Sequence, residues 1–211
     1  SKEPVTVEWD VSAAQKDGYA HFMLKEIYEQ PKALRDTIFP RLKGDRIDLE
    51  DLGLSEEEIR RLSRITIVAC GSAWHAGVTG KYVLEELARI PVETDLASEY
   101  RYRNPICEPD SLVIVVSQSG ETADSLAALR DAKARGSRVL AIDNVVGSSI
   151  AREADSVFYT NAGPEISVAT TKAYSCQLAA FYLLAAEFAR IRETIDRPRF
   201  DGLPSSPRDL P

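Results

Sequence analysis

The stretch Ser117-Gln118-Ser119-Gly120-Glu121-Thr122 gathers three hydroxyls and an amide between the apolar run 112–116 and a helical pattern from Glu121 to about Arg135. That arrangement suits a phosphate. A helix start presents backbone N–H groups with no intrahelical partner and the positive end of the macrodipole, and hydroxyls beside it add donors. The loop holds no lysine and lacks the spacing of a nucleoside-triphosphate loop, which excludes that reading. Taken alone, the stretch reads equally well as a serine-rich turn with a helix cap.

Two more loops of the same kind favour a ligand. Cys70-Gly71-Ser72-Ala73-Trp74-His75-Ala76-Gly77 follows one strand pattern, and Glu165-Ile166-Ser167-Val168-Ala169-Thr170-Thr171-Lys172 precedes the last helix. Three hydroxyl-rich loops at helix starts point to a phosphorylated polyol, because hydroxyls and the Gln118 amide both donate and accept. Single residues in these loops carry two readings each. Cys70 is a nucleophile or a buried structural thiol, and His75 a base or a packing or surface histidine. Glu121 is a general base or an acid favouring the helix dipole. Lys172 reaches an anion or sits on the surface of the first turn. No group has metal-ligand spacing, and no cofactor is expected.

The elements that must position these loops follow a regular rhythm. Strands are expected at 65–69, 92–95, 112–116, 138–142 and 156–159, and helices at about 73–90, 121–135 and 170–192. A turn of helix falls near 97–100, and Gly136 closes the 121–135 helix. Strands alternating with helices, several of them continuous apolar runs, predict an α/β fold. It is a three-layer α/β/α sandwich with a five-stranded parallel sheet, preceded by N-terminal helices. Ligands of such sheets sit beyond the carboxyl ends of the strands.

Upstream, residues 1–18 read as an extended leader with alternating Val5, Val7, Trp9 and Val11. A helix follows over about 22–30, and Pro31 breaks it or starts a second helix to about Leu42. Ser55 and Glu58 fit a capping box for a short helix to about Leu62. The segment 178–186 is apolar nearly all round, a core helix or one that also meets a partner subunit. The proline-containing stretch 196–211 reads as a linker, which gives the leader and N-terminal helices over 1–62, a main domain over 63–195 and that linker.

Composition narrows the partners. The 211 residues carry a formal charge of −7, which argues against nucleic-acid binding. Three scattered cysteines, Cys70, Cys107 and Cys176, make neither a disulfide framework nor a zinc site and suggest a reducing, cytoplasmic setting. The polar start is unlike a signal peptide, and no apolar run is long enough for a membrane span.

The motifs 69–72, 117–124 and 161–166, with Thr171-Lys172-Ala173, resemble the sugar isomerase (SIS) domain family. More narrowly they are similar to the first SIS domain of the isomerizing glutamine–fructose-6-phosphate aminotransferases, which the segment from Gly18 to Pro31 also resembles. The resemblance implies phosphate contacts from Ser117, Gln118, Ser119 and Thr122. It implies sugar contacts from Cys70, Gly71, Ser72, Val168, Ala169 and Thr170. The commonest family form has Thr-Ser at 72–73 and serine at 170, so a donor at Ala73 is absent here. The resemblance further implies fructose 6-phosphate or glucosamine 6-phosphate as ligand, a homodimer, and a parent chain with a glutaminase domain and a second SIS domain. Proton-transfer groups belong to those other parts, so the 211 residues are expected to bind without catalysing. A stand-alone phosphosugar isomerase or a sugar-phosphate sensor are the alternatives; a sensor that regulates transcription would carry a basic helix-turn-helix, which 1–60 lacks.

Overall fold

The structure, a computed structural model, describes residues 15–44 and 46–195. The extended leader expected over 1–18 and the linker expected over 196–211 lie largely outside that range; the described end of the leader turns at Asp17-Gly18, both with positive φ. Helix α1 (Phe22–Ile38) follows. The break or second helix expected at Pro31 does not occur, and one helix runs through it. Proline removes the N–H that Ile27 O would accept, and the Gln30 side-chain amide donates to that carbonyl instead, at 3.2 Å.

A hairpin of β1 (Leu42–Lys43) and β2 (Arg46–Ile47) leads to α2 (Glu56–Arg61). The capping box is present: Ser55 Oγ accepts from Glu58 N–H and the Glu58 carboxylate accepts from Ser55 N–H. Then come β3 (Arg64–Ala69), α3 (Gly71–Leu87), β4 (Val92–Leu96) and α4 (Ala97–Tyr100). They are followed by β5 (Ser111–Val116), α5 (Ala123–Ala134), β6 (Arg138–Asp143), α6 (Ser149–Glu153), β7 (Ser156–Tyr159) and α7 (Lys172–Ile191). Helices α5 and α7 begin two residues later than expected, since 121–122 and 170–171 stay in the loops.

Strands β3–β7 form one parallel sheet in the order β4-β3-β5-β6-β7. Their side chains alternate between two cores, as the period of two requires. Ile65, Ile67, Ile114 and Ile142 face α3 and α7, whereas Val68, Val113, Val115 and Val139 face α4, α5 and α6. The result is the expected three-layer sandwich. Helix α7 is a core helix: of residues 179–186 only Tyr182 is exposed. It packs closely on α3 because a side chain on Gly80 would overlap the Phe181 ring.

Candidate functional site

The chain leaves β3 for β4 on one side and then returns to β5 on the other. Between the carboxyl ends of β3 and β5 the connections diverge, and there a doubly wound sheet opens a crevice. A cleft of about 230 Å³ occupies this place. Cys70, Ser72, Ser117, Gln118, Ser119, Thr122, Val168 and Thr170 line it together, so residues from all three hydroxyl-rich loops converge. Gly71 and Ala169 lie in the same loops but are not among the lining residues. Ala73, Val116, Ser125, Glu165, Ser167 and Gln177 complete the wall.

The loop after β5 is tightly built. Ser117 N–H donates to Ile142 O at 2.9 Å, which ties the loop to the next strand. Ser117 Oγ accepts from Gly120 N–H and Ser119 Oγ from Glu121 N–H, at 2.9 and 3.2 Å. Each hydroxyl therefore keeps its own hydrogen to donate outward. Gly120 has φ of +66°, and a Cβ there would overlap Ser148 and the Asp143 carboxylate, so no other residue fits. Asp143 is fully buried at the end of β6; it accepts from Asn144 N–H, Val145 N–H and the Ser148 hydroxyl. Desolvation pushes its carboxyl up to about 6, against the pull of those hydrogen bonds and with the negative charge of Glu121 adding to the rise.

The helix starts divide into open and closed. Glu121 turns away from its own helix and accepts from Ser149 N–H at the start of α6, and these contacts with Ser149 hold its carboxyl below the usual range. It is a cap, as one reading had it, but of the neighbouring helix. Glu165 closes α7: it accepts from Thr171 N–H, Ala173 N–H and the Thr170 hydroxyl, at 2.9, 3.2 and 2.9 Å. Helices α3 and α5, which begin on the cleft, have no side-chain cap from their own N-cap residues and, unlike α6 and α7, none from a carboxylate elsewhere among the described residues. Their first N–H groups remain available to an anion, and the neutral hydroxyls of the wall add donors without a cation.

Lys172 neither reaches the cleft nor lies on the surface. It is 3% exposed and its ammonium pairs with Glu29 of α1 at 2.7 Å. His75 is exposed on α3 with its ring edge-on to Trp74. Cys70 is half-buried, receives the Ser125 hydroxyl at 3.9 Å, and lines the cleft, so it is no inert core thiol. Helix α1 also supplies Glu26, 2% exposed, which accepts from Ile166 N–H at 2.7 Å, Ser167 N–H at 3.2 Å and the Ser167 hydroxyl. Glu26, Asp143 and Gln177 have no local sequence signal that pairs them with the loops; only the folded chain brings them there. A larger hollow of about 440 Å³ lies between β2, α2 and the end of α7, away from these loops. Its charges are already paired, Arg190 with Glu187 and Glu56, and Arg46 with Glu50.

Residues 58–187 match the model of the SIS domain. The chain is 56% identical over all 211 residues to the glutamine–fructose-6-phosphate aminotransferase (isomerizing) of Clostridium acetobutylicum, and covers 35% of that protein. It thus spans about a third of the length of the curated relatives it matches. The solved C-terminal domain of glucosamine-fructose-6-phosphate aminotransferase from Francisella tularensis superposes with a TM-score of 0.83 at 41% identity, over 89% of this chain and 52% of that one. Glucosamine-6-phosphate deaminase from Thermotoga maritima superposes at 0.66 and 25% identity, over 85% of this chain and 51% of that one.

Proposed function

This chain belongs to the SIS domain family, and from that premise we propose that its cleft binds fructose 6-phosphate or glucosamine 6-phosphate within an isomerizing glutamine–fructose-6-phosphate aminotransferase. The observation that carries the proposal is the pair of open helix starts, α3 and α5, on a cleft walled by neutral hydroxyls. The phosphate takes the start of α5, with Ser117, Gln118, Ser119 and Thr122 around it. The sugar extends toward Cys70, Gly71 and Ser72 on one side and Val168, Ala169 and Thr170 on the other.

Aldose–ketose chemistry needs a base within hydrogen-bond reach of the carbon-bound proton or one water away. The carboxylate that lines the cleft, Glu165, already holds three donors at the start of α7. We therefore assign binding to these residues and proton transfer to other parts of the enzyme, the second SIS domain among them, with a glutaminase domain as the source of nitrogen. The proposed organisation is a bracing leader over 1–62, the sugar-phosphate domain over 63–195 and a linker over 196–211. The exposed apolar residues Met23, Leu24, Ile27 and Tyr28 on α1 offer a surface for a homodimer. Among the described residues no helix is long and apolar enough to cross a membrane.

Thr122→Val tests the phosphate assignment. Losing one hydrogen bond to a charged group costs about 1.5–3 kcal/mol, so titration with fructose 6-phosphate should give a dissociation constant raised about tenfold or more. An unchanged constant in a variant with the native circular dichroism spectrum rejects the assignment.

A further inference from the structure

Helix α7 has three buried polar side chains, Lys172, Gln177 and Glu187. Two are paired: Lys172 with Glu29 and Glu187 with Arg190. Gln177 is 3% exposed, and its amide meets no hydrogen-bond partner among the described residues. Its neighbours along the buried side, Ala173, Cys176, Ala180 and Phe181, are apolar. Packing alone gives no reason for an amide there, since an apolar side chain of the same size would fill the space; the amide atoms are not sealed from solvent, and the residue lines the cleft. What remains is the cleft, whose wall Gln177 shares with Cys70, Ser125 and Val116.

We infer that Gln177 is a ligand-contacting residue that hydrogen-bonds an oxygen of the sugar portion of the bound sugar phosphate. The inference rests on the sugar-phosphate reading of the cleft. An amide both donates and accepts, as a sugar hydroxyl or carbonyl oxygen requires, whereas a phosphate needs donors and meets them at the uncapped start of α5. A buried amide that is satisfied only by the correct ligand also discriminates. A molecule that lacks the matching oxygen leaves the amide unpaired, and that is the situation in which sites reject an analogue most strongly.

Gln177→Met keeps the volume and removes both donor and acceptor. The 211-residue chain and this variant are each titrated with fructose 6-phosphate and with inorganic phosphate, alongside thermal melts. The expected result is fructose 6-phosphate weakened about tenfold and inorganic phosphate changed by less than about twofold. Equal weakening of both ligands, or no weakening of either, overturns the assignment and makes Gln177 a structural residue. If the unmodified chain binds neither ligand, the sugar-phosphate reading itself falls, and this inference with it. Should Gln177→Met show no cooperative melt, Gln177→Ser, which withdraws the amide into a shorter polar side chain, is judged by the same two titrations.

Discussion

Asp143 is a carboxylate placed where charge is costly, and it sits against Gly120, where the 117–122 loop has no room for a side chain. Its hydrogen bonds from Asn144, Val145 and Ser148 fix the turn that Gly120 packs on, so the residue shapes the loop without lining the cleft. Burial raises its pKa from 3.8 to about 6. Between those values the folded chain holds a proton that the unfolded chain has released. The stabilisation is complete below pH 3.8 and disappears as pH rises through about 6. Asp143→Asn stays neutral, so its stability relative to the unsubstituted chain should rise between about pH 4 and 7, by up to on the order of 3 kcal/mol. Denaturant melts of both proteins across that range check this, and a constant difference contradicts it. Lys172 shows the limit of reading residues locally. Its position in the first helical turn is legible, but its partner Glu29 lies 143 positions away, so neither expectation for it was met.

At the level of elements, α1 is the brace of the third loop. Glu26 gathers two amides and a hydroxyl of residues 166–167, and Glu29 and Gln30 hold Lys172 and Ser175 at the head of α7. Helix α1 thus holds the residues on either side of Val168–Thr170. Glu26→Ala removes charge-assisted bonds worth about 1.5–3 kcal/mol each, and amide exchange at Ile166 and Ser167 should quicken by about tenfold or more. Exchange rates that do not move would show that the loop holds its shape without α1. The strands and major helices were legible because apolar runs of four to six residues and hydroxyl-rich loops alternate along the chain. Helix continuity through Pro31 was not, because it depends on Gln30 serving a carbonyl that proline leaves free. Gln177 was hidden for the opposite reason: α7 reads as apolar nearly all round, and a single amide in it has no periodic signal.

In the whole molecule, the excess of acids leaves the chain at −7 while the cleft wall, among the described residues, holds no lysine or arginine. On the proposed reading, aligned N–H groups and hydroxyls rather than net charge draw an anion there. Of the four helix starts α3, α5, α6 and α7, two are closed by Glu121 and Glu165, and the open pair faces the crevice beside β3 and β5. On the proposed reading, that pattern favours a ligand at the switch in strand order over one in the larger hollow beside α2. The most direct measurement is a crystal structure of the 211-residue chain soaked with fructose 6-phosphate. The account predicts phosphate density at the start of α5, within hydrogen-bond distance of the side chains of Ser117, Ser119 and Thr122, with the sugar in the cleft toward Cys70 and Thr170. Phosphate bound elsewhere on the chain, with this cleft empty at saturating ligand, would contradict it.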